Sequence, residues 1–319
     1  MVKIQEFLLK KLMEKSLKQL NNINSIVELI GNTPLIELNG FKELSSDKRI
    51  FIKAEWFNPG GSIKDRAALS MINDGITSKR LTSNKTIMDS SSGNTAIAYA
   101  MIGAALGFKV ELVTPENINI ERKKTLQAYG AKIIYSSPFE GSDGAIIEAR
   151  KLAKNFPDKY FMPDQYNNNA NPHAHYKTTG PEIWEQTNHE ITHFISGIGT
   201  SGTAMGTSKF LKEKNKKIKT IGVQPDDSLH GLEGLKHIPS SIVPGIYNED
   251  QLDQIYWANT EKSYEVMEKL VKLEGMFVGH SGGAVVLAAL EELEMVEKAT
   301  IVCVIPDGGY RYLSGGVWW

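Results

Sequence analysis

Cys303 is the only cysteine in 319 residues. An internal disulfide framework and a thiolate metal cluster are thereby excluded. Cys303 lies within the apolar run IVCVI, where a small buried hydrophobe is expected rather than a nucleophile. An excess of one charge is also missing. Lysine and arginine number 36 against 37 acidic residues, a net charge of −1, which argues against a general nucleic-acid binder and its basic face. No apolar run approaches the roughly 18 residues of a membrane span. At 41% hydrophobic and 23% charged, the chain is not of the disordered kind. Its length predicts roughly two domains with a sizeable core. The expectation is a soluble, cytoplasmic, globular protein.

Residues 3–20 place Ile4, Leu8, Leu12 and Leu20 at near-helical spacing among lysines, which predicts an amphipathic helix and then a polar link over 21–25. The segment lacks arginine and has no small-residue cleavage pattern, so packing on the body or on a second subunit is expected rather than targeting. From residue 26 onward, β-rich runs alternate with helical patterns. Strands are predicted over 50–54, 86–89, 109–113, 132–135, 191–196, 219–224 and 300–305. Helices are predicted over 67–78, 96–107, 120–129, 142–155, 203–214 and 283–292. This alternation predicts two α/β domains with mostly parallel sheets. The polar stretch DQYNNNANP over 164–172 reads as a loop, either linker or cleft lining.

Three loops carry candidate chemistry. Gly197, Gly199 and Gly202 in GIGTSGT follow a predicted strand and open a helix. Glycines let a backbone approach an anion, and a helix N-terminus offers free N–H groups and a positive dipole end. The spacing also satisfies G-x-G-x-x-G, with Asp226 beyond the next strand, so a phosphate cradle, a dinucleotide site and a plain tight turn all remain open. Lys64, in SIKDRAA, sits where a glycine turn enters a helix. There the dipole favours the neutral amine that chemistry on an aldehyde cofactor needs; a solvated lysine beside Asp65 is the alternative. The loop DSSSGNT over 89–95 sets hydroxyls, an amide and N–H groups at a third strand-to-helix junction. It could hold a carboxylate or simply cap a helix.

Taken together, these segments resemble the fold type II pyridoxal-phosphate enzymes of the β family, specifically the cysteine synthases (O-acetylserine sulfhydrylases) of the type B branch. The likeness runs from residue 26 to 317 through IGNTPL (30–35), NPGGSIKDRAALSMI (58–72), SSGNT (91–95), AYGAKI (128–133), DQYNNNANPHAHYKTTGPEIW (164–184), GIGTSGT (197–203), VPGIY (243–247), GHSGGAV (279–285) and DGGYRYLSGGV (307–317). The resemblance implies pyridoxal 5'-phosphate as cofactor, with Lys64 as its Schiff-base lysine and general base. It implies that Asn94 bonds the cofactor's 3-hydroxyl and that Gly199, Thr200, Ser201, Gly202 and Thr203 form its phosphate cup. Ser91, Ser92, Thr95 and Gln165 match positions that hold the substrate carboxylate, and Ser281 matches the serine set against the pyridine nitrogen.

The implied reaction is β-replacement on O-acetyl-L-serine or O-phospho-L-serine by sulfide or thiosulfate, giving L-cysteine. β-Elimination, another β-replacement, and more distantly a nicotinamide-dependent oxidoreductase are the alternatives. The chain departs from the family at Ser91, where threonine is usual, and in GHSGGAV, where GISSGAA is common. His280 there is expected to pack, with a titrating role as the alternative. Asp307 is a second candidate for the ring nitrogen; an aspartate would protonate it where a serine would not. Lys236 and His237 resemble the basic pair of the type B branch. Lys236 is expected either to draw an anionic substrate group or to be a solvated surface lysine. The implied domains are a helical extension over 1–24, a smaller mobile substrate-binding domain over 61–172 and a larger cofactor domain from 25–60 plus 173–319. The implied partners are a small amino-acid substrate, a sulfur nucleophile and a second copy of the chain, with no metal, nucleic acid or membrane.

Overall fold

Strand–helix alternation builds two sheets in the computed structural model, which describes residues 23–315. The helix expected over 3–20 and Val317 lie outside the described residues. In chain order the strands are β1 (Leu35–Glu37), β2 (Lys48–Ala54), β3 (Thr86–Ser90), β4 (Val110–Pro115), β5 (Lys132–Ser136), β6 (Tyr160–Phe161), β7 (His193–Gly197), β8 (Lys219–Pro225), β9 (Gln254–Ala258) and β10 (Ala299–Ile305). The α-helices are α1 (Lys64–Thr77), α2 (Asn94–Leu106), α3 (Ile120–Ala128), α4 (Gly141–Asn155), α5 (Ala170–Lys177), α6 (Thr179–Gln186), α7 (Gly202–Lys214), α8 (Thr260–Glu274) and α9 (His280–Glu294).

The larger sheet has the order β1-β2-β10-β7-β8-β9, with β1 antiparallel at one edge and every other pairing parallel. The smaller, β5-β4-β3-β6, is parallel throughout. Helices cover both faces of the strands, so the strands read as continuous apolar runs rather than alternating ones. In β10, Ile301, Cys303 and Ile305 enter a core with Val285 and Val286 of α9, whereas Val302 and Val304 enter another with Ile183 of α6 and Leu211 of α7. In the smaller sheet, Ile87 and Leu112 face α1 and α2, and Met88 and Val113 face α4. Cys303 is fully buried, with burial pushing its thiol pKa up; it packs as expected.

Strand order reverses at one point. β7, β8 and β9 step outward in sequence, and then β10 returns to lie between β2 and β7, pairing Ile305 with Ala54 and Val304 with Ser196. The carboxyl ends of β2, β10 and β7 are therefore neighbours. The crevice outside such a switch point is where open α/β sheets bind ligands.

The stretch over 164–172 is a loop only as far as Asn169, because α5 begins at Ala170. Pro172 sits in the first turn of α5, where its missing N–H costs nothing, so it opens this helix instead of barring it. β1 has three residues, β6 has two, and β9 is a sheet edge that leaves Trp257 half exposed. β1 and β6 are too short to show the apolar run or the alternation that marks a strand in sequence, whereas β9 carries the short apolar run IYWA, which the predicted strands do not include.

Candidate functional site

The three adjacent strand ends carry three of the singled-out segments. β2 leads through Asn58–Gly61 to Lys64, β10 leads through Pro306 to Asp307, and β7 leads into Gly197–Gly202. Local bonds stitch them together. Ile63 N–H donates to Pro306 O at 2.9 Å, Ser62 pairs with Asp307 as an isolated bridge, and Gly60 N–H donates to Asp65 Oδ2 at 2.6 Å. Lys64 is the first residue of α1 and is half-buried. Its Nζ has no hydrogen bond or ion pair among the described residues. Burial holds its pKa below the ordinary lysine range, and the nearby Asp307 carboxylate offsets part of that.

Lys64 lines a cavity together with Asn94, Thr200, Ser201, Ser281 and Tyr312. At its floor, the N–H groups of residues 200–204 have no acceptor among the described residues, as expected for the first turn of a helix. Two glycines make that approach possible. A Cβ on Gly199 would stand 2.5 Å from Gly234 O, and one on Gly202 would stand 2.0 Å from Asn171 Oδ1. Ser201 adopts a left-handed φ of 71°, and its buried hydroxyl has no partner among the described residues. Thr200 Oγ1 accepts from Asn171 Nδ2 at 3.0 Å. The loop is thus a cradle of unspent donors, fitted to a phosphate dianion.

The other side of the cavity comes from the smaller sheet and the chain after β10. Asn94, the first residue of α2, donates from Nδ2 to Asp307 Oδ2 at 2.6 Å, and its Oδ1 accepts from Arg311. Tyr312 O–H donates to the same Asp307 oxygen, while Asp307 Oδ1 is buried without a partner among the described residues. Ser281 lies in the first turn of α9, buried on the opposite wall. His280 beside it packs on Tyr264 and Tyr312, with ring centroids 5.4 and 4.5 Å away, and burial lowers its pKa.

A wider cleft shares Lys64, Asn94 and Thr200 with the cavity and adds Thr95, Gln165 and Lys236. Thr95 O–H donates to Gln165 Oε1 at 2.7 Å, and Gln165 Nε2 donates to Ser90 O at 2.9 Å. Ser91 Oγ accepts from the N–H groups of Gly93 and Ala96 at 3.2 and 3.3 Å; Ser92 stands beside it, half-buried. Lys236 is not a solvated surface lysine. It is 8% exposed, pairs with Asp143 Oδ1 at 3.1 Å and lies 5.6 Å from the Tyr166 ring centroid. His237 turns aside to Ser240 and Trp257.

The structure therefore gathers Lys64, Asn94, residues 199–203, Ser281, Thr95, Gln165 and Lys236 about one connected cleft, with Asp307 buried behind it and bonded to Asn94, whereas Ser91 and Ser92 line neither the cavity nor the cleft. Asn171, His175, Arg311 and Tyr312 belong to the same neighbourhood but are not singled out by sequence. Their contacts to the cradle and to Asn94 span 28 positions or more, and the signal for them was only their place inside the long matching segments. Asp226 accepts from Asn259 Nδ2 at 3.0 Å. Among the described residues no group of three or more His, Cys, Asp or Glu could hold a metal ion, and no helix is long and apolar enough to cross a membrane.

Comparison with known proteins places the chain in a family. Residues 26–307 match the family described as "Pyridoxal-phosphate dependent enzyme". The chain is 49% identical over 296 residues to the cysteine synthase of Aquifex aeolicus, covering 91% of this chain and 90% of that protein. It is 38% identical over 295 residues to cysteine synthase B of Escherichia coli, covering 92% and 96%. The crystal structure of cysteine synthase from Entamoeba histolytica superposes with a TM-score of 0.89 at 37% identity, covering 94% of this chain and 92% of that one. The dinucleotide reading of the glycine loop gives way to this match. The chain belongs to the pyridoxal-phosphate dependent enzymes of fold type II, among the cysteine synthases, and pyridoxal 5'-phosphate is its cofactor.

Proposed function

We propose that this chain makes L-cysteine by β-replacement, taking O-acetyl-L-serine or O-phospho-L-serine as the activated serine and sulfide or thiosulfate as the sulfur source. One observation carries the reading: an unpaired, half-buried Lys64 amine shares a cavity with the donor-rich 199–203 cradle. Pyridoxal phosphate, when bound, supplies an aldehyde carbon and a ring that takes up the electron pair left on the substrate's α-carbon. Gly199, Thr200, Ser201, Gly202 and Thr203 would hold its phosphate, Lys64 its aldehyde carbon, and Asn94 its ring hydroxyl. Ser281 or Asp307 would face its ring nitrogen. Lys64 Nζ, whose pKa burial lowers, takes the proton from the substrate α-carbon as general base and later returns one. Ser91, Ser92, Thr95 and Gln165 bind the substrate carboxylate with hydroxyl and amide donors. The Thr95–Gln165 bond pre-sets two of them.

The smaller sheet, with Asn94 and Thr95 opening α2 after β3 and Gln165 on a loop after β6, supports treating 61–172 as a mobile unit that closes on 25–60 plus 173–319 and excludes water. The half-exposed row Ile23, Ile26 and Leu29 supports a homodimer. A single buried thiol is compatible with a cytoplasmic setting.

The test is product analysis with each activated serine, with and without each sulfur donor, on the wild type and on Lys64→Ala. L-cysteine should form, and the variant should lose about 10²–10⁴-fold in turnover. No L-cysteine from any combination, or a variant as fast as the parent, would sink the reading.

A further inference from the structure

His175 reaches the phosphate cradle from behind. α5 and α7 pack backbone against backbone at this point, since a Cβ on Gly206 would stand 1.9 Å from Pro172 O and 3.0 Å from His175 Cβ. The ring of His175 is wedged between two threonine hydroxyls. Its Nδ1 is 3.0 Å from Thr179 Oγ1, and its Nε2 is 3.4 Å from Thr203 Oγ1. His175 is 1% exposed and Thr179 is fully buried, whereas Thr203 lines the cavity. Burial, helped by Arg66 and Lys64, holds the imidazole neutral.

A neutral imidazole has one donor nitrogen and one acceptor, and a hydroxyl rotates to suit either. Two arrangements are therefore available. With the proton on Nδ1, His175 donates to Thr179, and Thr203 spends its own proton on Nε2. The cradle then meets lone pairs of Thr203, which repel an anion. With the proton on Nε2, Thr179 donates to Nδ1, Nε2–H donates to Thr203 Oγ1, and the Thr203 proton is left to point into the cradle. A phosphate dianion selects the second arrangement, because a hydrogen bond to a charged acceptor is worth more than a neutral one.

We propose that His175 is a positioning residue of the cofactor site, holding its proton on Nε2 so that Thr203 donates its hydroxyl proton to the cofactor phosphate. The inference rests on the cofactor assignment above. It adds a residue that never touches the cofactor and a tautomer that never changes during turnover.

Holoenzyme labelled with ¹⁵N-histidine tests it directly. The ring correlation that disappears in His175→Gln belongs to residue 175, and it should show a proton on Nε2 and none on Nδ1. A proton on Nδ1, or on both nitrogens, overturns the proposal. Retention of pyridoxal phosphate gives a second reading. Thr203→Val and His175→Phe should each weaken it about tenfold, while His175→Gln, whose amide N–H reaches toward Thr203, should stay within about threefold of the parent. The Thr203→Val/His175→Phe pair should be no worse than either change alone. Two losses that multiply, or unchanged retention in His175→Phe, overturn the proposal as well. Should His175→Phe not fold, the tautomer and His175→Gln decide. A wild type that binds no pyridoxal phosphate would defeat the cofactor assignment too, and that result is distinct from a bound cofactor with the wrong tautomer.

Discussion

Arg66 clasps Glu55 from two directions, Nε to Oε2 at 2.8 Å and Nη2 to Oε1 at 2.9 Å, with neither side chain more than 1% exposed. The same guanidinium donates to Glu182 Oε1 and Oε2 at 2.6 and 2.7 Å, and Lys53 Nζ meets Glu182 at 2.7 Å. Arg66 lies on α1 two residues after Lys64, Glu55 follows β2, and Glu182 lies on α6. One buried network therefore fixes the direction in which α1 leaves the larger sheet.

Removing the arginine should be far more harmful than its distance from the cleft implies. In Arg66→Met two carboxylates lose their shared cation inside the protein, and breaking a buried pair costs about 3–5 kcal/mol. Urea unfolding should show a loss of that size with an unchanged slope. A loss below about 1 kcal/mol would mean that water or Lys53 compensates.

Two buried carboxyls set a pH dependence of unusual sign. Burial pushes Asp65 up to about 7 against the Gly60 N–H bond, and Asp89 up to about 7 against bonds from Ser90, Tyr99 and Gln165. Unfolded aspartates titrate near 4, so between about pH 4 and 7 the folded chain binds more protons. That stabilisation is fully present below about pH 4 and is lost as pH rises through 7. Glu182 acts oppositely. Although burial would raise it, Arg66 and Lys53 bring it down to about 2, so its contribution is present above about 4.5 and is lost as pH falls toward 2. His175, His193, His230 and His280, whose pKa values burial lowers, pull the wild-type profile the other way below about pH 6.5. The aspartate contribution is therefore read as a difference: Asp89→Asn should gain stability relative to the wild type on going from about pH 5 to about pH 8. A variant-minus-wild-type difference that is the same at both pH values would contradict the assignment.

The architecture was legible where burial leaves a simple mark. β10 reads ATIVCVI because both faces are covered, and GIGTSGT reads as an anion loop because only glycines allow the closeness seen at Gly199 and Gly202. Lys64 and Asn94 were legible as helix-opening residues within a resemblance of many ordered motifs. Contacts between distant segments were not. Asn171 meets Thr200 across 29 positions and Arg311 meets Asn94 across 217, and neither leaves a local pattern. α5 and α6 are eight residues each, split at Thr178 and carrying Pro172 and Gly180-Pro181, too short and too interrupted for a 3.6-residue period to emerge. The burial of Lys236 depends on Asp143, 93 positions away, so its loop position alone could not distinguish a solvated lysine from a cleft-lining one.

Gly202→Ala tests the cradle by shape alone. The new Cβ would stand 2.0 Å from Asn171 Oδ1, and Asn171 Nδ2 also donates to Gln165 O at 2.8 Å and to Thr200 Oγ1 at 3.0 Å. Its displacement loosens the cradle and the Gln165 segment together. Stability should drop by about 1–3 kcal/mol, as overpacking typically does, and retention of pyridoxal phosphate should weaken by about tenfold. Equilibrium binding to the variant at the parent's affinity would show that the loop yields without disturbing its donors.

Lys236 is expected to separate the two activated serines. Its ammonium lines the cleft that also holds Lys64, Thr95 and Gln165, and it is engaged there by Asp143 alone among the described carboxylates. A phosphoserine leaving group brings a dianion that can draw Nζ away from Asp143, whereas an acetyl ester brings no charge. Lys236→Met should therefore lower kcat/KM for O-phospho-L-serine about tenfold more than for O-acetyl-L-serine. Asp143→Asn, which releases the ammonium, should shift the ratio the other way. Raising ionic strength should narrow the gap in the wild type, since an attraction in an open cleft is partly screened. Equal losses on both substrates in Lys236→Met would assign the residue to packing against Tyr166 and leave leaving-group choice to other parts of the cleft.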